Sequence, residues 1–350
     1  MADPSGTSAA EPKVTIRQVA VLAGVSPSAV SHVFNGRSDI APATKERILA
    51  AAAELNWRPA AAALALAAAR TRTFGYVVLR DPDLVRGDPF FVDVISGVQR
   101  ALAEGHYNLL VRLVSTREEE LDTYRKLSQA RQVDGFLLVD HRAEDPRYRI
   151  IAEAGLSGVA IGRPFPGCPF PAVTADPADA GMTEALRELA RLGHRSIGYV
   201  GGPEEFASAR FRRERVEQAA AEAGLVLLTR SDRTEREAVA EATRALLSGE
   251  SRPTAIVYSN DLMAMWGMAA AEDAGFRVPQ DLSVLGHDDA PFAGFTRPSL
   301  ASVHVDVSAL ADAAARTLIA VTAGEPVPPS ATAGSRFERR DSIAEAPRPS

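Results

Sequence analysis

The chain has 350 residues, of which 46% are hydrophobic and 24% are charged. This length exceeds one ordinary hydrophobic core, so the sequence predicts two or three compact units. No uncharged run of about 18 apolar residues occurs, which argues against a membrane-spanning helix. Residues 1–12 lack the basic and apolar blocks of a signal peptide, so we expect a disordered tail on a cytoplasmic protein.

Basic residues are concentrated near the N-terminus. The whole chain has a net charge of −6, yet Lys13–Arg72 contains eight basic and three acidic side chains, a net charge of +5. A basic block on an acidic remainder favours a small head that binds nucleic acid. A chance cluster of solvated charges is the alternative, and charge alone leaves both interpretations open.

Local signals predict two short helices in this block. Thr15 and Gln18 have the spacing of a capping box, which begins a helix. Gly24 adopts a left-handed backbone readily and therefore ends that helix. Ser26 followed by Pro27 begins the next helix at once, because serine caps well and proline suits the first position.

A third helix is predicted from Pro42 to about Leu55. Its apolar residues recur at helical spacing and supply the core that two short helices lack. The side chains expected to point inward are Ile48, Leu49, Ala52 and Leu55.

Two short helices joined by a glycine turn are typical of a helix-turn-helix. The outward positions of the second helix carry small or hydrogen-bonding side chains, which fit a DNA major groove. A three-helix bundle without a DNA role is the alternative. We predict base contacts from Ser28, Ser31, His32 and Asn35. We predict phosphate contacts from Lys13, Thr15 and the helix N-terminus at Ser26.

Several segments carry a resemblance to a known family, namely Val14–Ala20, Ala23–Ser26, Val30–Ser31, Val33–Asn35 and Ala53–Pro59. They resemble the lactose-repressor (LacI/GalR) family, and the similarity continues through nearly the whole chain. The resemblance implies a sequence-specific transcriptional repressor that reads bases with Pro27, Ser28 and His32. His32 stands where arginine is common, so one hydrogen bond replaces a bidentate contact with guanine. A phosphate contact without specificity is the alternative for His32.

An alanine-rich segment, Ala60–Ala69, follows the head. Alanine favours helix, but about ten residues alone are only marginally helical in water. The resemblance implies a hinge helix that pairs with its copy in the minor groove, where Leu66 wedges open a base step. Alanines and Leu64 replace the polar positions that are usual in such hinges. An ordinary alanine-rich linker is the alternative.

From Phe74 onward, short apolar runs alternate with helical segments. This pattern predicts parallel sheets covered by helices, and its recurrence predicts two similar lobes. Ligands bind such sheets beyond the carboxyl ends of the strands, so we expect a cleft between the lobes. The predicted strands are 74–79, 108–114, 135–139 and 158–161, then 196–201, 225–228, 254–258 and 283–286.

Side chains near the strand ends are candidate contacts for a small-molecule effector. Phe90 and Phe91 suit stacking on a ring, and Arg212 suits a hydroxyl pair or a carboxylate. The resemblance implies effector contacts from Phe91, Ser208, Arg212, Asn260 and Asp288. Capping of helices and turns is the alternative for Asn260, Asp261 and Asp289.

Two departures from the family pattern bear on the effector. Gly162 stands where an aspartate is common, and the segment after Leu228 lacks an aromatic residue that often stacks on the ligand. A sugar, a larger molecule, an anion and no effector at all therefore remain open. The arginines that would suit an anion are Arg163, Arg212, Arg230 and Arg233.

The sequence shows no constellation of catalytic or metal-binding residues. The histidines lack paired ligand spacing, and the single Cys168 has no partner for an internal disulfide. We therefore predict no enzymatic activity and no cofactor. The chief alternative function is a periplasmic-type sugar-binding protein without a DNA role, which has the same two-lobed body but carries a signal peptide and no helix-turn-helix.

The predicted fold class is α/β, with a helix-turn-helix head, a hinge helix and a two-lobed body like a periplasmic binding protein. The predicted divisions are a disordered tail at 1–12, the DNA-binding domain at 13–58, the hinge at 59–72, the effector-binding and dimerisation domain at 73–340 and a flexible tail at 341–350.

We predict a homodimer that binds a pseudopalindromic double-stranded operator at the nucleoid and contacts no membrane. Helices at Asp179–Leu192 and Ala309–Thr322 offer apolar faces either to the fold or to the second copy. No leucine heptad follows Gly324, so a coiled-coil tetramer is not expected.

Overall fold

The computed structural model describes residues 14–34, 40–57, 70–80, 87–175, 179–230, 233–249, 251–327 and 333–348. The chain divides into two compact units, Met1–Arg72 and Thr73–Ser350. The first unit is called the head and the second the body.

The head contains three helices at the predicted places: α1 (Ile16–Ala23), α2 (Pro27–Phe34) and α3 (Pro42–Glu54). The backbone N–H of Thr15 donates to Gln18 Oε1 at 2.7 Å, as a capping box requires. Gly24 has a φ of +64° and ends α1 in the left-handed region. The predicted helix-turn-helix is therefore confirmed.

A small apolar core joins these helices. Val19, Val30 and Ile48 are fully buried, because they recur at the spacing that places side chains on one helical face. The prediction that Leu49 points inward is wrong, since 44% of its surface is exposed. Ala51 is buried in its place, because it lies three residues after Ile48 and shares its face.

The first lobe of the body is a parallel five-stranded sheet with the order β2-β1-β3-β4-β5. Its strands are β1 (Thr73–Leu79), β2 (Asn108–Val114), β3 (Gly135–Leu138), β4 (Ser157–Ile161) and β5 (Ala172–Val173). Between them lie the helices α4 (Pro89–Gly105), α5 (Arg117–Gln129) and α6 (Pro146–Glu153).

The second lobe is a parallel four-stranded sheet with the order β7-β6-β8-β9. Its strands are β6 (Ser196–Val200), β7 (Val226–Arg230), β8 (Ala255–Tyr258) and β9 (Ser283–Leu285). Its helices are α7 (Ala180–Arg191), α8 (Ala207–Ala223), α9 (Arg236–Leu247) and α10 (Asp261–Asp273). The predicted α/β class with two parallel sheets is confirmed.

The chain returns to the first lobe near its end. Helix α11 (Val307–Ala323) buries Leu310 and Leu318 in the first lobe's core, although it follows every strand of the second sheet. A Cβ added at Gly97 of α4 would lie 2.1 Å from the backbone oxygen of Ser308, so α4 and α11 pack closely at this glycine. The predicted helix pair is thus divided, with α7 in the second lobe and α11 in the first.

The C-terminal residues complete the second lobe. Strand β11 (Ser335–Glu338) pairs antiparallel with β10 (Ser302–Val305). The expectation of a flexible tail over 341–350 is wrong for its first residues. Ile343 is buried, and Ser342 donates a hydrogen bond from Oγ to the Val284 carbonyl at 2.6 Å. These contacts hold the segment in place, because it supplies hydrogen-bond partners to the backbone groups at the open edge of β9.

Candidate functional site

The six residues predicted to contact an effector all line one cavity of about 230 Å³ in the body. Side chains of both lobes form its wall, and the cavity lies where the strands end. Parallel sheets place ligand sites at this edge, because loops that follow neighbouring strands converge there. The six residues are Phe90, Phe91, Ser208, Arg212, Asn260 and Asp288.

An aromatic wall is formed by the first turn of α4. Asp88 caps this helix by accepting a hydrogen bond from the Phe90 backbone N–H at 3.0 Å. The rings of Phe90 and Phe91 meet edge to face with centroids 5.4 Å apart. Burial, together with the nearby Asp288 carboxylate, raises the pKa of Asp88 to about 6. The cap therefore also brings to the cavity an acid whose ionised form is disfavoured by burial.

A charged wall is formed by α8 and the loop that follows β9. Ser208 and Arg212 are four residues apart on α8 and therefore lie on one helical face. Arg212 donates to the Ser259 carbonyl, and its Nη2 lies 3.3 Å from Asp288 Oδ1. Burial would raise the pKa of Asp288, but Arg212 and His287 hold it below its usual value. Asp288 is therefore ionised at neutral pH.

Capping, the alternative use of Asn260, is confirmed in addition to its place in the cavity wall. Asn260 Oδ1 accepts a hydrogen bond from the Met263 backbone N–H at 2.8 Å and so begins α10. Asp261 does not line this cavity. It is buried, where it accepts hydrogen bonds from Ser302 Oγ and the Ala290 N–H, both at 2.6 Å. Burial raises the pKa of Asp261 to about 7.

Other lining residues were not predicted, among them Arg80, Asp140, His141, Phe206 and Thr234. Arg80 directly follows β1, and Asp140 and His141 lie just beyond β3. The rule that ligands bind at carboxyl ends of strands would therefore have found these three. Burial lowers the pKa of His141 to about 4, so its ring is neutral at pH 7.

One of the two departures from the family pattern, Gly162, lies at the cavity. Gly162 has a φ of +86°, and no heavy atom lies within 4 Å of an added Cβ, so space is open there. Arg163 lines the cavity and stacks on Phe211 with its Cζ 4.1 Å from the ring centroid. The predicted group of four arginines is divided, because Arg230 and Arg233 are not part of this wall.

The candidate DNA-reading face lies on α2. Thr15, Ser26, Pro27 and Ser28 are exposed, and Ser31 and His32 are partly buried. Ser26 Oγ accepts a hydrogen bond from the Ala29 N–H at 3.2 Å and lies 2.8 Å from Ser28 Oγ. This cap orders the first turn of the helix. Three further predicted contacts, Lys13, Asn35 and Leu66, lie outside the described residues.

Neither a metal site nor a membrane-spanning helix is found in the described part of the chain. No group of three or more His, Cys, Asp or Glu side chains there has an arrangement suited to a metal ion. None of the helices described combines the length and apolarity needed to cross a membrane.

Comparison with known proteins matches both units. Residues 15–60 match the bacterial regulatory proteins of the lacI family, and residues 186–343 match a periplasmic binding protein-like domain. The HTH-type transcriptional repressor PurR of Photobacterium profundum is 32% identical over 293 residues, which cover 83% of this chain and 86% of that protein. The HTH-type transcriptional regulator CelR of Thermobifida fusca is 31% identical over 323 residues, covering 90% and 94%.

A solved structure shows the same fold. The complex of the transcriptional regulator CelR with cellobiose has a TM-score of 0.70 and 28% identity, and the match covers 94% of this chain and 100% of that one. The head, the two-lobed body and these relatives define the class as a DNA-binding transcriptional regulator. The chain belongs to the lacI family of bacterial regulatory proteins. The alternative of a sugar-binding protein without a DNA role is therefore excluded.

Proposed function

We propose that this regulator is a homodimeric repressor whose affinity for its operator is set by a small molecule bound in the body cavity. The observation that carries the proposal is the convergence of the six predicted effector residues on one cavity. Phe90 and Phe91 come from the first lobe, whereas the other four come from the second. A ligand held by both sets therefore senses the angle between the lobes.

The proposed DNA contacts follow from the family's base-reading geometry. Helix α2 enters the major groove, with Pro27, Ser28, Ser31, His32 and Asn35 toward base edges. Lys13, Thr15 and the N-terminus of α2 at Ser26 hold phosphates. Residues 59–72 act as the hinge, where Leu66 wedges the minor groove. A two-fold dimer then matches a pseudopalindromic operator.

The cavity chemistry favours a ring-shaped molecule that carries several polar groups. The aromatic wall offers stacking, and the polar wall combines Arg212 with Asn260 and Asp288, which donate to and accept from hydroxyl groups. One solved relative is a complex with cellobiose. We therefore place saccharides first among candidate effectors, and we propose that the protein acts on chromosomal DNA in the cytoplasm without enzymatic activity.

The proposal is tested with the purified full-length chain. Genomic fragments that it retains are sequenced to find the operator, and binding is then measured by fluorescence anisotropy. We expect the logarithm of the affinity to fall steeply with the logarithm of the salt concentration, because phosphate contacts release counterions. A flat salt dependence, or a protein that retains no duplex at low ionic strength, would refute the DNA-binding half.

The effector half is tested by thermal shift against saccharides, nucleosides and carboxylic acids. A ligand that binds only the folded state raises the melting temperature. At a ligand concentration of a hundred times Kd, the free energy of unfolding rises by about 2.7 kcal/mol. A stabilising ligand must also change the operator affinity. Ligands that stabilise the body without changing DNA binding would contradict the proposed coupling.

A further inference from the structure

We propose that Arg80 is an internal tether that holds the two lobes of the body together when no effector is bound. Its guanidinium lies between aromatic rings of different lobes. The Cζ atom is 5.7 Å from the ring centroid of Phe91 in the first lobe and 5.3 Å from that of Phe206 in the second. Both distances are within the range of a cation–π contact.

Asp140 fixes the position of this guanidinium. Arg80 Nη2 donates to Asp140 Oδ1 at 2.8 Å, and Nη1 donates to the Leu79 carbonyl at 2.9 Å. The side chains are 26% and 14% exposed, so water screens the pair only in part. Arginine is suited to this position, because its planar cation stacks on rings while its edge binds a carboxylate.

The ring of Phe206 meets a second arginine that is fixed in a different way. The Cζ atom of Arg142 lies 5.2 Å from the Phe206 ring centroid. Arg142 donates to Glu120 at 2.9 Å, and these two side chains are 4% and 1% exposed. Arg142 is thus held inside the first lobe, whereas Arg80 lines the cavity and is open to a ligand.

The main chains of the two lobes also meet at this point. Arg142 and Phe206 form an antiparallel bridge, and the Ala207 N–H donates to the His141 carbonyl at 2.8 Å. Ala207 is the first residue of α8, so its N–H has no acceptor within the helix. This hydrogen bond therefore reports directly whether the lobes are in contact.

The tether has a consequence for the effector, and this consequence rests on the proposed function. The Arg80 guanidinium already occupies the place between Phe91 and Phe206 and so links the two rings itself. A ligand that draws Arg80 away from Asp140 without itself bridging the two rings releases the contact. Such a ligand opens the body, because it binds the open state better than the closed one.

Hydrogen–deuterium exchange of the full-length chain tests the tether without DNA or effector. The Ala207 amide is followed in a peptide that spans the start of α8. In Arg80→Ala we expect it to exchange about tenfold faster, because two stacking contacts and an ion pair are lost. Asp140→Asn is the second variant. Asp140 has a φ of +51°, which asparagine also adopts readily.

A control and a rescue separate the tether from general loosening. Arg252→Ala removes an arginine that stacks on Phe276 within the second lobe, and it should leave Ala207 exchange unchanged. Millimolar guanidinium ion should restore protection in Arg80→Ala, because it fits the vacated place beside Asp140. Urea at the same concentration, which carries no charge, should not.

Unchanged Ala207 exchange in Arg80→Ala overturns the tether, as does faster exchange that guanidinium fails to reverse. If Arg80→Ala does not fold, unchanged Ala207 exchange in Asp140→Asn also overturns the tether. Because no DNA or effector is present, failure of the tether is distinguishable from failure of the proposed repressor function.

Discussion

The Nη2 atom of Arg212 lies 3.3 Å from the Oδ1 atom of Asp288 on the wall of the body cavity. The two side chains are 23% and 20% exposed, so a ligand can reach both. A molecule with adjacent donor and acceptor groups, such as a diol, satisfies this pair at one time. Removal of either side chain leaves the other charge without its partner in a partly desolvated site.

Arg212→Ala should therefore abolish the effector response and leave ligand-free operator binding unchanged. Truncation of one member of a desolvated charge pair weakens binding by about 2–5 kcal/mol, or about 30-fold or more. Thermal shift and operator anisotropy with a saccharide found in the screen measure this loss. Arg213→Ala is the matched control, because Arg213 is the next residue on α8 and does not line the cavity. An unaltered response in Arg212→Ala would remove this arginine from the ligand site.

Asp88→Asn should make the free energy of unfolding less dependent on pH. The folded chain holds the pKa of Asp88 at about 6, above its ordinary value of 3.8, so folding favours the protonated acid. Stability from this group is complete below about pH 4 and is lost as the pH rises through 6. Asparagine caps α4 equally well without a charge.

Urea unfolding between pH 4 and 7 checks this prediction. The variant should gain stability relative to the wild type as the pH rises, by up to about 3 kcal/mol near pH 7. Parallel curves for the two proteins would show that Asp88 ionises without a penalty in the folded state.

Gly97→Ala should destabilise the body by about 2–3 kcal/mol. The added Cβ would lie 2.1 Å from the Ser308 carbonyl oxygen and 2.9 Å from Ala311 Cβ, so α4 and α11 must separate. Thermal unfolding measures the effect. Gly294→Ala is the control, since no heavy atom lies within 4 Å of its added Cβ. Equal melting temperatures for the two variants would contradict the close packing of α4 on α11.

Leu66→Ala should weaken operator binding about tenfold or more and leave effector binding intact. The prediction comes from the hinge sequence, because Leu66 lies outside the described residues. A leucine that wedges a base step supports a bent DNA, and alanine is too short to do so. Anisotropy titrations measure the loss, and Leu64→Ala controls for removal of a leucine from the same segment. Equal affinities in the wild type and Leu66→Ala would exclude the wedge.

Much of the fold could be predicted from local patterns. The strand predicted at 108–114 has the observed bounds, and Gly24 and Gly324 end their helices in the left-handed region. These features depend on residues close together in the sequence, such as apolar runs and glycines at helix ends. The failure at Leu49 is of another kind, because Ile48 and Leu49 are neighbours on an alanine-rich helix and the pattern does not show which of the two faces the core.

Only part of the site could be predicted, because local patterns identify some of its residues and not others. Arg212 and Asp288 follow a family pattern, whereas Phe206 carries no local signal and reaches the site by its contact with Arg80 and Arg142 of the other lobe. Residues 341–346 are likewise ordered by their contact with the open edge of β9, which lies about sixty residues earlier in the chain. Contacts of this range have no periodic signature in the sequence.

The sequence by itself determined the kinds of elements and the chemistry of the head, because periodicity, capping residues and local charge act over a few residues. The tertiary structure decided which lobe each late element joins, which side chains share the cavity and where the lobes meet. Helix α11 returns to the first lobe, and Arg80 reaches Phe206, because burial of apolar surface and pairing of charge are settled between segments distant in the chain.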